Sequence, residues 1–154
     1  MIKLSRLTDY GVVVMTQINQ SADAVTTAQD LAAATGLPLP TVSKLLKKLA
    51  KTHLLQSHRG VKGGYSLSRA LTQITVAEFI EALDGPVALT ACVDGAEDAC
   101  NVESLCPVRG GWDRVNRAIH TALEEVSLAD LCMPMEFPDL EPTNLAHQIS
   151  TEHA

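Results

Sequence analysis

The sequence predicts a mainly α-helical chain with one small β-hairpin, and three stretches are responsible. Residues 26–51 hold two short helical patterns separated by Gly36 and a proline turn. Residues 54–68 hold two short strand patterns around a basic, glycine-rich tip. After residue 107 an apolar stripe recurs at helical spacing for about five turns. Helix-turn-helix, hairpin, long helix is the order of a winged helix-turn-helix head followed by a dimerisation helix.

The first helix is expected over residues 4–20, where Leu7, Tyr10, Gly11, Val14, Met15 and Ile18 share one face. Thr26-Thr27-Ala28-Gln29 reads as a capping box, with the Thr26 hydroxyl on a backbone N–H and Gln29 reaching back. The short helix that follows runs to Thr35, and Gly36 supplies a left-handed stop. Pro40 suits the first turn of the next helix, expected over 40–51, with Val42, Leu45, Leu46 and Leu49 inward. Thr41, Ser43, Lys44, Lys47, Lys48 and Lys51 lie on or beside its other face. Such a helix fits the major groove of double-stranded DNA, where lysines hold phosphates and short polar side chains meet base edges.

Leu54–His58 and Tyr65–Ser68 are the strand candidates, joined by Arg59, Gly60, Val61, Lys62, Gly63 and Gly64. This is a wing. Its glycines permit close approach to a sugar–phosphate backbone, and Arg59 suits the narrow minor groove. Arg59, Gly60, Lys62, Gly63, Gly64 and Tyr65 therefore join Thr41, Ser43, Lys44, Lys47 and Lys48 as candidate DNA contacts. Thr75-Val-Ala-Glu78 is a second capping box, opening a helix with Val76, Phe79, Ile80 and Leu83 inward. Asp84-Gly-Pro86 ends it.

Val108, Trp112, Val115, Ile119, Ala122 and Val126 form the narrow stripe. It suits a partner helix in a homodimer and also permits packing on the first helix. Ser127–Leu131 is a short capped turn, and the proline-punctuated end reads as a mobile tail. The expected divisions are a DNA-binding head at 1–84, a loop at 85–107, dimerisation and short helices at 108–132, and the tail at 133–154.

The chain has 154 residues, 46% hydrophobic and only 3% aromatic, which suits one domain with an appendage or two small lobes sharing a core. No apolar run approaches the ~20 residues needed to span a membrane. The opening residues lack an apolar core and a cleavage site, so a cytoplasmic location is expected. The net charge of −6 averages two unlike halves: residues 1–75 carry +6 and residues 76–154 carry −12. A basic head on an acidic body provides one face for a polyanion.

Three of the four cysteines fall in one loop as Cys92, Cys100 and Cys106, spaced C-x7-C-x5-C. An odd number does not pair off, and three thiolates converging on one point suit zinc or an iron–sulfur cluster. Spacing leaves that choice open. A redox enzyme is disfavoured by the lack of a C-x-x-C, a nucleotide-binding glycine pattern, or a His/Asp pair beside a nucleophile.

Arg6-Leu-Thr-Asp-Tyr10, the wing Ser57-His-Arg-Gly-Val-Lys-Gly-Gly-Tyr65 and the three-cysteine loop before a long helix together resemble a known group. They are similar to the iron–sulfur winged-helix regulators of the IscR, NsrR and RirA type, the Rrf-two superfamily. The resemblance covers about residues 1–132 and is nearest the branch regulating SUF iron–sulfur assembly. It implies a non-enzymatic homodimeric repressor over a palindromic operator, with Cys92, Cys100 and Cys106 holding a [2Fe-2S] or [4Fe-4S] cluster. The alternative is a zinc-stabilised or cluster-free regulator responding to nitric oxide, iron or redox stress. Asp9 matches a first-helix aspartate that completes the cluster from the partner subunit in one branch. His120 and Cys132 are weaker candidates for that fourth ligand. The chain departs from the group in its longer first cysteine spacing, in Arg109 where some members place a histidine, and in Ser43 where some place a glutamate.

Overall fold

The computed structural model describes residues 4–21, 25–89, 93 and 111–132. The first helix, α1, spans Arg6–Gln20, because Ser5 is in extended backbone and its hydroxyl accepts the Thr8 amide at 3.2 Å. That satisfies one of the orphan donors at a helix start. Helix α2 spans Ala28–Thr35 and ends on Gly36 at φ 71°. Its cap is a correction to the expected one. Thr27, not Thr26, caps it, in a reciprocal box with Asp30 instead of Gln29. Thr26 is unavailable because its backbone pairs with Tyr65 in both directions at 2.9 Å.

Helix α3 covers Leu39–Lys51, with Pro40 in its first turn and Val42, Leu45, Leu46 and Leu49 buried. His53, at φ 61°, turns the chain out of it into the hairpin. Strands β1 (Leu55–His58) and β2 (Gly64–Leu67) pair antiparallel, from Leu55 opposite Leu67 to His58 opposite Gly64. A 3-10 turn at Leu71–Gln73 leads to α4, Val76–Asp84, capped by the Thr75 hydroxyl on the Glu78 amide. The Glu78 carboxylate is engaged by Arg69.

The core lies where α1, α2, α3 and α4 meet, built from Met15, Leu31, Leu45, Leu46, Leu49, Phe79 and Leu83. Helices α5 (Gly111–Glu124) and α6 (Leu128–Cys132) follow. Helix α6 is capped by Ser127 and Asp130 and seats Leu128 in the core. Helix α5 contributes no buried residue. Its main neighbour is α4, not the first helix as its stripe allowed. Two polar anchors hold it there. Asn116 donates to the Val87 carbonyl and accepts the Leu89 amide, and His120 meets Glu81 at 3.0 Å. The helix stops at Glu124, short of Val126, whose carbonyl accepts the Val76 amide at 2.9 Å. Among the described residues no helix is long and apolar enough to cross a membrane.

Candidate nucleic-acid interface

Helix α3 is amphipathic in a way that separates two functions. Val42, Leu45, Leu46 and Leu49 are fully buried, which fixes how the helix is rolled on the core. Lys44, Lys47, Lys48 and Lys51 are then exposed, and Thr41 and Ser43 are half-buried. Lys48 is placed differently: its Nζ donates to the main-chain carbonyl of Leu83, in the last turn of α4.

The wing projects beside this helix. Arg59 and Lys62 are exposed at its tip, and Val61 between them is fully exposed. Gly60, at φ 103°, makes the turn, and the Gly63 amide closes it on the Gly60 carbonyl at 3.0 Å. Across the strands His58 Nε2 lies 2.8 Å from the Ser66 hydroxyl, so an exposed imidazole stands at the base of the wing tip. Sequence reading placed His58 in a strand without a role; after Leu55 the whole strand is exposed.

Gly64 serves the protein before it serves any ligand. A Cβ there would sit 2.6 Å from the Thr26 carbonyl oxygen, a backbone atom with no room to yield. Half-buried Tyr65 pairs with Thr26 in a single bridge that pins the wing to the segment before α2. Gly64→Ala is expected to break this pairing, at a cost of about 1–3 kcal/mol as in other overpacked sites. Faster amide exchange at Tyr65, with α3 still protected, would show it. Unchanged exchange would mean the pairing tolerates a side chain.

Arg59→Ala and Lys62→Ala are expected to weaken DNA binding and reduce its log–log salt slope, each by about one. Titration of duplex DNA across a salt series measures this. Unchanged slopes would put the wing away from the phosphates.

The proposed cluster ligands Cys92, Cys100 and Cys106, and Arg109 beside them, lie outside the described residues. Asp9 is exposed on the first turn of α1, at the rim of an open depression of about 460 Å3 lined by Leu4, Thr8, Val12 and Leu131. Both His120 nitrogens are engaged, Nε2 by Glu81 and Nδ1 by Glu124 at 3.4 Å. Cys132 is half-buried against the core, with the Thr16 hydroxyl 2.8 Å from its Sγ. Among the described residues no three His, Cys, Asp or Glu side chains converge to hold a metal.

This arrangement of helices and wing matches proteins already known. Residues 4–134 match the family model Rrf2, described as an iron-dependent transcriptional regulator. The chain belongs to the Rrf2 family. A Mycobacterium tuberculosis protein assigned as an HTH-type transcriptional regulator is 32% identical over 131 residues, covering 84% of this chain and 81% of that one. The HTH-type transcriptional regulator IscR of Xenorhabdus nematophila is 32% identical over 111 residues, covering 72% of this chain and 66% of its own. Among solved structures, CymR, the global cysteine regulator of Bacillus subtilis, superposes with a TM-score of 0.62 at 26% identity, covering 86% of this chain and 97% of that one. Membership in the Rrf2 family makes the chain a DNA-binding regulator of transcription built as a winged helix, and not an enzyme.

Proposed function

We propose that this Rrf2 protein is a cytoplasmic homodimeric repressor of iron–sulfur assembly genes that senses a cluster bound by Cys92, Cys100 and Cys106. One observation carries the reading: a chain with this head has three cysteines at C-x7-C-x5-C between the end of α4 and the start of α5. Thiolates are the donors that iron–sulfur clusters require, and the cytoplasm keeps them reduced. A [2Fe-2S] or [4Fe-4S] cluster bound there would be the redox- and oxygen-sensitive group. Asp9 supports a fourth, labile ligand because its carboxylate is exposed and free to meet another subunit. The contacts to Glu81 and Glu124 argue against His120.

Two heads joined through α5 would meet two half-sites of a palindromic operator, since two-fold protein symmetry calls for matching DNA symmetry. Thr41, Ser43, Lys44 and Lys47 would enter the major groove, with Arg59, Gly60 and Lys62 on the flanking backbone. The test is anaerobic purification followed by operator binding with and without the cluster. A brown protein with charge-transfer absorbance, whose DNA affinity changes when the cluster is removed, is the expected result. A colourless protein with stoichiometric zinc would replace the cluster by a structural metal on the same thiolates.

A further inference from the structure

Lys48 was counted with the phosphate-binding lysines of α3, but its neighbours assign it other work. Its ammonium meets the Leu83 carbonyl, one of the last-turn acceptors that α4 cannot satisfy internally. A cation at a helix C-terminus is also favoured by the aligned peptide dipoles. The next residue continues the chain of contacts. Asp84 Oδ2 accepts the Ser5 amide at 2.9 Å and Oδ1 accepts the Ser5 hydroxyl at 2.5 Å. Ser5 is in turn the cap of α1. The Lys48 bond to Leu83 and the Asp84 bonds to Ser5 therefore meet at one junction of α3, the end of α4 and the start of α1.

We propose that Lys48 is a positioning residue for DNA binding, locking the recognition helix to the C-terminal end of α4 instead of meeting a phosphate. Asp84 is its counterpart. Partial burial raises the Asp84 carboxyl, but hydrogen bonds from the Ser5 hydroxyl and amide and from Thr8, with the Lys48 charge, outweigh it. The carboxyl is left below its ordinary value, so the ionised junction is the state at neutral pH. Lys47, one residue earlier, is exposed as Lys48 is but has no side-chain hydrogen bond among the described residues, and it serves as the internal comparison.

The two roles differ in salt dependence. A phosphate contact releases counterions, whereas an internal strut changes affinity without changing the number of phosphates neutralised. The experiment titrates full-length protein with a duplex covering its own promoter region, from low to high salt. The variants are Lys47→Met, Lys48→Met, Lys48→Arg and Asp84→Asn. Lys47→Met should lower the log–log slope by about one. Lys48→Met should keep the wild-type slope while binding about tenfold more weakly, as a fall of the correctly docked helix to about a tenth of the population would cause. Lys48→Arg, which can still donate to the Leu83 carbonyl, should restore affinity.

Asp84→Asn is the sharper arm, because it removes a negative charge from a DNA-binding head. Charge alone would tighten binding; a broken junction weakens it. It also carries the test if Lys48→Met does not fold. A slope reduced by one in Lys48→Met, or tighter binding by Asp84→Asn, would overturn the proposal and return Lys48 to the phosphates.

Discussion

Alanine at Asp9 should leave a folded dimer whose cluster assembles poorly and decays at least about tenfold faster, since even outer-shell changes at metal sites cost 10- to 100-fold. The fold should survive because Asp9 is exposed and no core contact depends on it. The start of α1 is held by Ser5 and Asp84. Its exposure is also what suits it to a ligand from a second subunit. A cluster shared in this way would tie one α1 to the other protomer's cysteine loop, and α1 packs on α2, α3 and α4. Loss of the cluster would then free one head relative to the other. A dimer that must fit two half-sites converts such a small shift into a large affinity change. The anaerobic decay of visible absorbance measures the first effect, and operator binding the second. Cys100→Ala should show no cluster at all and bind DNA as the decayed Asp9→Ala protein does. If Asp9→Ala keeps a cluster of normal lifetime, the fourth ligand lies elsewhere.

Much of the head could be read from the sequence because its signals are local. The Val42, Leu45, Leu46, Leu49 face of α3 is buried as its spacing requires, Gly36 ends α2 and Thr75 starts α4 where expected. The misses come from contacts that no local pattern encodes. Thr26 looks as good a cap as Thr27 until Tyr65, thirty-nine positions later, claims its backbone. Lys48 looks like Lys47 until the Leu83 carbonyl is beside it. The apolar stripe ran on to Val126 because periodicity does not register a main-chain bond to Val76. Gly64 was read as an approach to DNA, whereas the neighbour that excludes its side chain is the Thr26 carbonyl. The cysteine loop is legible only as composition and spacing, since its donors lie outside the described residues.

The stripe on α5 leads to the other large effect: Val115→Asp should yield a monomer. The helix is about 21 Å long. The side facing α4 is held by Asn116 and His120, with half-buried Ile119 and Leu123 beside Ile80. Among the described residues, nothing covers the rest of the stripe. Trp112 is 43% exposed and Val115 44%, with Ala122 further along. A large aromatic and a valine aligned on one open helix face are what a second copy of α5 would cover. An aspartate in that seam would either be buried unpaired or hold the two helices apart, and both are costly. Because Val115 touches solvent in the single chain, the head should keep its helix content and its core. Sedimentation should show one chain per particle. Operator affinity should fall by about 10²–10⁴, the advantage that linking two binding modules supplies. Binding to a single half-site should be little changed, since α3 and the wing are untouched. A dimer that survives Val115→Asp would place the subunit contact off this face, and the exposed Trp112 would then need another partner.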